Sequence, residues 1–309
     1  MRAAFIQALI ELARNDDGVN LLVGDLGFGL VEAFANRFPN QFLNVGVAEQ
    51  NLAGIAAGMA MSGRTVFTYS IANFPTFRCL EQIRNDICYH RANVKIVSVG
   101  CGLNYGALGI THHALEDVAI MRALPDIKII APGDPCETYL ATEVLAKDLG
   151  PAYLRLGKNG DPLIHKSREI NFTLGHAITV REGSDIALIA TGTMLSTAVE
   201  VADRLLERDV RARVLSMHTI KPLDYEAVLK AAHETRAILT LEEHSVTGGL
   251  GSAVAEFLAE ESVSGVAFKR IGSPDAFGAV VGDQQHLKKL YMLDAEAVAH
   301  SALALLRRT

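Results

Sequence analysis

Residues 44–70 read NVGVAEQNLAGIAAGMAMSGRTVFTYS: a short apolar strand, an acid at the opening of a helix, a helix made largely of Gly and Ala, and a second buried strand. Side chains that small leave room for another surface to lie close against the helix. Glu49 is the one ionisable residue before Arg64, and it stands where such a surface or a ligand would meet it. A buried carboxylate is costly unless something shares its proton or its charge. No Lys or Arg lies near it in sequence, so its partner must come from elsewhere.

Working outward, the segment before this core begins with MRAAFIQALIELARNDD, whose apolar spacing predicts a first helix and which lacks a signal-peptide cleavage site. NLLVGDLGFG then gives a buried strand ending in Asp25 on a glycine-rich turn. Ligands gather at the carboxyl ends of strands in open α/β sheets, which makes Asp25 a candidate by position. Beyond the core, a Pro-containing loop presents Phe74 and Phe77, a helix is expected from about Arg78 to His90, and a strand from Val94 to Val99. GCGLNYGALGITHHALEDV follows, a long irregular run of the kind that is usually functional. AIMRAL, IKIIA, Cys136 to Asp148 and AYLRL complete a first α/β domain, placed at residues 1–160. A polar stretch, residues 161–184, reads as a linker with a small strand pair. Strand and helix signals then alternate again through residues 185–309, a second and smaller α/β domain. Alternation of this kind argues for parallel sheets covered on both faces.

Composition narrows the functional classes. A net charge of −6 without a basic block argues against a nucleic-acid partner. No run approaches 18 apolar residues, so no membrane span is expected. Cys79, Cys88, Cys101 and Cys136 show no CxxC spacing and read as reduced thiols of a cytoplasmic protein.

Each candidate has an ordinary reading beside the chemical one. Glu49 suits a helix start through the macrodipole, and spacing alone admits that as readily as a site. His112 and His113, in THHALED, point to proton transfer near neutral pH, while adjacent histidines without a third spaced ligand argue against a metal on this chain. Arg155 either pairs with a nearby acid or holds an anionic substrate. His218, His244 and the TGGLG turn at Thr247 to Gly251 are read as structural, and Phe74 and Phe77 as core unless they flank a ligand.

Taken together, GVAEQNLAGIAAGMAMSGRTVF, EQIRND, THHALEDVAIMRALPDIKIIAPGD, TGTMLSTAVEVADRLL and EEHSVTGGLGSAV resemble the thiamine-diphosphate enzymes of the transketolase family over nearly the whole chain. The resemblance implies a pyrimidine-binding domain followed by a transketolase C-terminal domain. It implies that Glu49 hydrogen-bonds the aminopyrimidine ring, that Phe74, or alternatively Phe77, stacks on it, and that Asp25 lies beside the cofactor. It further implies that His112 exchanges protons with substrate hydroxyls, His113 sits where relatives carry Gln, and Arg155 binds a substrate phosphate. The family's GDG motif, which grips the diphosphate through Mg²⁺ or Ca²⁺, does not occur in this sequence. A separate N-terminal subunit is therefore expected to bring that site, in an assembly pairing two heterodimers.

Three positions depart from the family pattern: Gly100 replaces a histidine, Leu108 an aspartate and Gly29 a serine. These losses imply two-carbon ketol transfer between sugars other than the usual pentose phosphates. The β subunit of a 2-oxo acid dehydrogenase, a 1-deoxyxylulose-phosphate synthase-like enzyme and a noncatalytic partner subunit are the alternatives.

Overall fold

Strands β1 (Val19–Val23), β4 (Val94–Val99) and β6 (Ala152–Leu156) are buried at every residue, as strands covered on both faces must be. In the computed structural model, which describes residues 1–158 and 160–308, they lie in a seven-stranded sheet with β2 (Phe42–Asn44), β3 (Thr65–Ile71) and β5 (Lys128–Ile130). Alternate residues point to opposite layers. Leu21, Phe67, Val97 and Leu154 face the first helix, Arg2–Asn15, and the helix Pro135–Lys147. Leu22, Val66, Ile96 and Tyr153 face the helix Glu49–Met61 and the segment around Ile83 and Ile87.

The second sheet contains β7 (Ile178–Arg181), β8 (Ile186–Ala190), β9 (Ala212–Ser216), β11 (Ala237–Ser245) and β12 (Ala267–Ser273), in the order β12-β11-β8-β9-β7. The remaining strand, β10 (Thr219–Lys221), crosses back and extends the first sheet to β10-β5-β6-β4-β3-β1-β2, pairing antiparallel with β5. The two sheets thus share chain. Residues 161–184 hold one strand rather than a pair, and that strand, β7, joins the second sheet against β9. The expected helix from Arg78 to His90 is a 3₁₀ turn at Phe77–Cys79, a short α stretch at Leu80–Gln82 and a wider π turn at Ile83–Cys88. All four cysteines are free and buried. No helix among the described residues is long and apolar enough to cross a membrane.

Helix Glu49–Met61 buries Leu52, Ala53, Ala56, Ala57 and Ala60 against its own sheet. Gly54 and Gly58 lie on its other, exposed face, where an added methyl would meet nothing within 4 Å. The close approach that small residues permit is used on one side by this chain and left open on the other.

Candidate active site

Four neighbouring strands, β1, β3, β4 and β6, run parallel, so their carboxyl ends deliver loops to one edge of the sheet. After β1 comes Asp25, after β3 Asn73 and Phe74, after β4 the loop with His112 and His113, and after β6 Lys158. Gly24 links the first of these to Glu49: a methyl built on it would lie 3.6 Å from Glu49 Cγ and 3.7 Å from Ser70 Oγ.

Glu49 is 2% exposed in the first turn of its helix. Arg78 Nη1 donates to its Oε2 at 2.8 Å. This long-range arginine is the partner absent from the local sequence. The pair satisfies one oxygen only, since Oε1 is buried without a hydrogen-bond partner, as is the nearby Ser70 Oγ. The carboxylate is walled by Leu52, Pro75, Ile83, Ile87 and Ile96 around a cavity with room for no more than a water molecule. Helix-start electrostatics would be served as well by an exposed acid. A buried carboxylate with one oxygen unpaired instead fits a ligand that completes its hydrogen bonding.

Phe74 stacks beneath the Arg78 guanidinium, 4.6 Å from its ring centroid. Its edge meets the His112 ring at 5.3 Å. Phe77 is 36% exposed in the 3₁₀ turn beyond. Asp25 holds a left-handed backbone, φ 56°, and its Oδ1 accepts from Asn44 Nδ2 at 2.9 Å while its N–H donates to Asn44 Oδ1 at 3.0 Å. That exchange ties the ends of β1 and β2 together next to the segment that opens Glu49's helix.

The loop after β4 is pinned by Asn73, whose amide donates to the carbonyls of Thr111 at 2.6 Å and His113 at 3.3 Å, bracketing His112. Asn73 is a functional candidate that sequence reading missed; its place beside Phe74 at the end of β3 was the available signal. His112 is half-buried, and its pKa is lowered, first by burial and then by the neighbouring His113. Its imidazole is therefore a neutral base at physiological pH. His113 is 1% exposed, with Nε2 on the carbonyl of Gly106 at 3.2 Å and Nδ1 unpartnered. The two rings have different settings: His112 faces Phe74 and Tyr105, and His113 supports the loop from inside.

Arg155, expected to bind a substrate phosphate, is engaged by the fold through its Nε and Nη2. It lies within β6 rather than beyond it, 5% exposed, with Nε and Nη2 on Asp117 at 2.7 and 3.2 Å and Nη2 also on the carbonyls of Ala114 and Glu243. Tyr153 completes the cluster by donating to Asp117 at 2.6 Å. The cation beyond the strand end is Lys158, whose ammonium lies 4.3 Å from the Tyr105 ring centroid and pairs with no carboxylate among the described residues. Tyr105 in turn stands 6.0 Å from the His112 ring. Gly100 makes this possible: its φ is 71°, and any side chain there would collide with the Tyr105 ring. Arg78, Phe74, His112, Tyr105 and Lys158 thus form a row of rings with a cation at each end. Leu108 is exposed, and Gly29 has open space around it.

Comparison with known proteins fits this geometry. Residues 1–160 match the transketolase pyrimidine-binding domain, and residues 175–298 the transketolase C-terminal domain. The chain is 39% identical over 308 residues to one of the subunits of the apulose-4-phosphate transketolase of Phocaeicola vulgatus, covering 99% of this chain and 97% of that one. It is 38% identical to a 6-deoxy-6-sulfo-D-fructose transketolase subunit of a Clostridium species, covering 98% and 93% of the two chains. A solved split-gene transketolase, described as an inactive β4 tetramer, superposes with a TM-score of 0.91 at 38% identity, over 99% of this chain and 98% of that one. The chain belongs to the transketolase family, in which it corresponds to the subunit of a split enzyme that carries the pyrimidine-binding and C-terminal domains.

Proposed function

We propose that this chain presents the pyrimidine side of a thiamine-diphosphate site to a second, N-terminal subunit, and that the assembled cytoplasmic enzyme moves a two-carbon ketol unit from a ketose to an aldose. The observation that carries the reading is the unpartnered Oε1 of Glu49, a buried acceptor whose other oxygen is linked through Arg78 to the Phe74 ring. Bound thiamine diphosphate supplies the nucleophilic carbon and the electron sink that cleavage of the donor's C2–C3 bond needs. Glu49 Oε1 would share a proton with a ring nitrogen of its aminopyrimidine, and Phe74 and Asp25 are the residues that would hold that ring. Arg78 keeps the other carboxylate oxygen paired, so the residue offers a single acceptor.

His112 takes the proton from the donor's C3 hydroxyl as the C2–C3 bond breaks, and the acceptor's aldehyde oxygen receives a proton in return. Lys158 holds a terminal anion of the sugar. Its distance from Tyr105 and that of Tyr105 from His112 bound the ammonium-to-imidazole separation at about 10 Å, which suits a short sugar with the reacting carbon at one end and an anion at the other. The relatives' substrates, apulose 4-phosphate and 6-deoxy-6-sulfo-D-fructose, carry such an anion. Tyr105 in the space of a residue-100 side chain, with Leu108 and Gly29 nearby in sequence to the site, supports a sugar other than the common pentose phosphates.

The diphosphate and its Mg²⁺ or Ca²⁺ belong to the partner subunit in this reading, and the open Gly54–Gly58 face supports close packing by another chain. The test is reconstitution with a chain carrying the GDG motif. Ketol transfer should require both chains, thiamine diphosphate and a divalent ion. Transfer by this chain alone would overturn the split reading, and oxidative decarboxylation of pyruvate by the pair would replace the transketolase reading with the oxo acid one.

A further inference from the structure

The loop after β4 is held at both of its ends by one short run of the second domain, residues 243–245 of β11. Glu243 grips the beginning. Its Oε1 accepts the Leu103 N–H at 2.6 Å, and the carboxylate presses against Gly102, where any side chain would collide with it. Residues 114–119 are held by the same run. Ser245 N–H donates to the Leu115 carbonyl at 2.7 Å, His244 Nε2 accepts the Ala119 N–H at 3.3 Å, and the Glu243 carbonyl shares Arg155 Nη2 with the Ala114 carbonyl. An isolated bridge between Gly102 and Ala114 closes the neck.

From the opposite side, three further groups of the second domain converge on the Glu243 carboxylate. Thr193 Oγ1 donates at 3.1 Å, Gln284 Nε2 reaches both oxygens at 2.8 and 3.0 Å, and Lys288 Nζ stands 3.2 Å away. The side chain is 1% exposed. A carboxylate this fully engaged cannot shift without breaking several bonds at once. Between the two fixed ends lie Tyr105, His112 and His113.

We infer that Glu243 is a positioning residue for the reaction, and that clamping the loop of residues 102–116 is the second domain's contribution to catalysis. The inference rests on the reading that His112 acts in ketol transfer, but its first measurement does not. In Glu243→Gln the shape is kept, while an NH₂ group replaces one of the oxygens that now face Thr193, Gln284 and Lys288. Loss of a charge-assisted contact of this kind raises local opening on the order of tenfold or more.

The test is amide hydrogen exchange by mass spectrometry on the full chain, followed by kinetics of the reconstituted enzyme. Glu243→Gln should speed exchange in residues 102–116 while leaving β1, β8 and β9 unchanged, and should lower kcat with little change in the KM of an acceptor whose phosphate is held by Lys158. The double variant Gln284→Ala, Lys288→Met keeps the Leu103 bond and should give the same pattern more weakly, and it serves if the first variant fails to fold. Unchanged exchange in 102–116, or faster exchange spread evenly over both sheets, overturns the inference. Faster loop exchange with no transferase activity in the wild-type pair would leave the clamp standing and remove the proposed function.

Discussion

Glu49→Gln separates a structural ion pair from a cofactor contact, because the two roles predict opposite balances of stability and activity. The side chain is 1% exposed, while its partner Arg78 is 47% exposed. With the arginine so open to water, the pairing itself is worth about 1 kcal/mol or less. Against that loss, the wild-type carboxylate is buried with one oxygen unsatisfied, a burden of about 1–3 kcal/mol that a neutral amide partly lifts. The opposing effects leave the isolated chain within about 1 kcal/mol of wild type, a shift of a few degrees in Tm. Turnover of the reconstituted enzyme should fall by about 10²- to 10⁴-fold, the usual contribution of a positioned proton-sharing group. The assays are thermal unfolding of the single chain and thiamine-diphosphate-dependent transfer by the pair. Removing one partner from a structural buried pair destabilises by about 3–5 kcal/mol. A loss of that size with turnover retained would refute the reasoning.

Two further outcomes follow from the same structure. Lys158→Gln should raise the KM of a phosphorylated aldose acceptor about tenfold, as loss of a charged hydrogen bond implies, and leave its unphosphorylated counterpart unaffected; equal changes for both would show that Lys158 acts on the fold instead. Burial lowers the His218 pKa from 6.5 to about 3, so between those values the unfolded chain binds the extra proton and stability is lost as pH falls, by at most about 1.4 kcal/mol per unit. Burial also raises the Glu137 pKa to about 7, an effect of opposite sign. Urea unfolding of wild type and His218→Gln from pH 8 to 5 isolates the histidine, since wild type should lose its advantage on acidification; parallel curves would contradict the assignment.

The parts of the fold legible in the sequence were those with internal periodicity or an unbroken apolar run. Val94 to Val99 reads as a strand from its β-branched residues, and all six positions are buried; the helices Pro135–Lys147 and Met194–Leu206 follow their apolar spacing. β10 was not legible. Its three residues, TIK, resemble a loop, and only pairing with β5 across the domain boundary makes them a strand. β12 was missed because its AFKRIGS sequence places Lys269 and Arg270 on an exposed stretch of an edge strand.

The candidate site divides in the same way. Glu49, Phe74 and His112 were expected from position and motif, and in the structure Arg78 and the Phe74 ring link the three. Arg78 as the partner of Glu49 depends on a turn 29 residues away, which no local pattern reveals. Arg155, expected to bind a substrate phosphate, lies inside the sheet because AYLRL ends at Leu156, and Lys158 lies beyond that strand's carboxyl end. The clamp by Glu243 needed three-dimensional contact between domains and had no sequence signature.

The most direct measurement is a structure of the two-subunit enzyme with thiamine diphosphate and its divalent ion. Glu49 Oε1 should lie within hydrogen-bond reach of a nitrogen of the aminopyrimidine, with Phe74 against the ring and the diphosphate on the other subunit. An aminopyrimidine held away from Glu49, with the carboxylate facing Arg78 alone, would contradict the account.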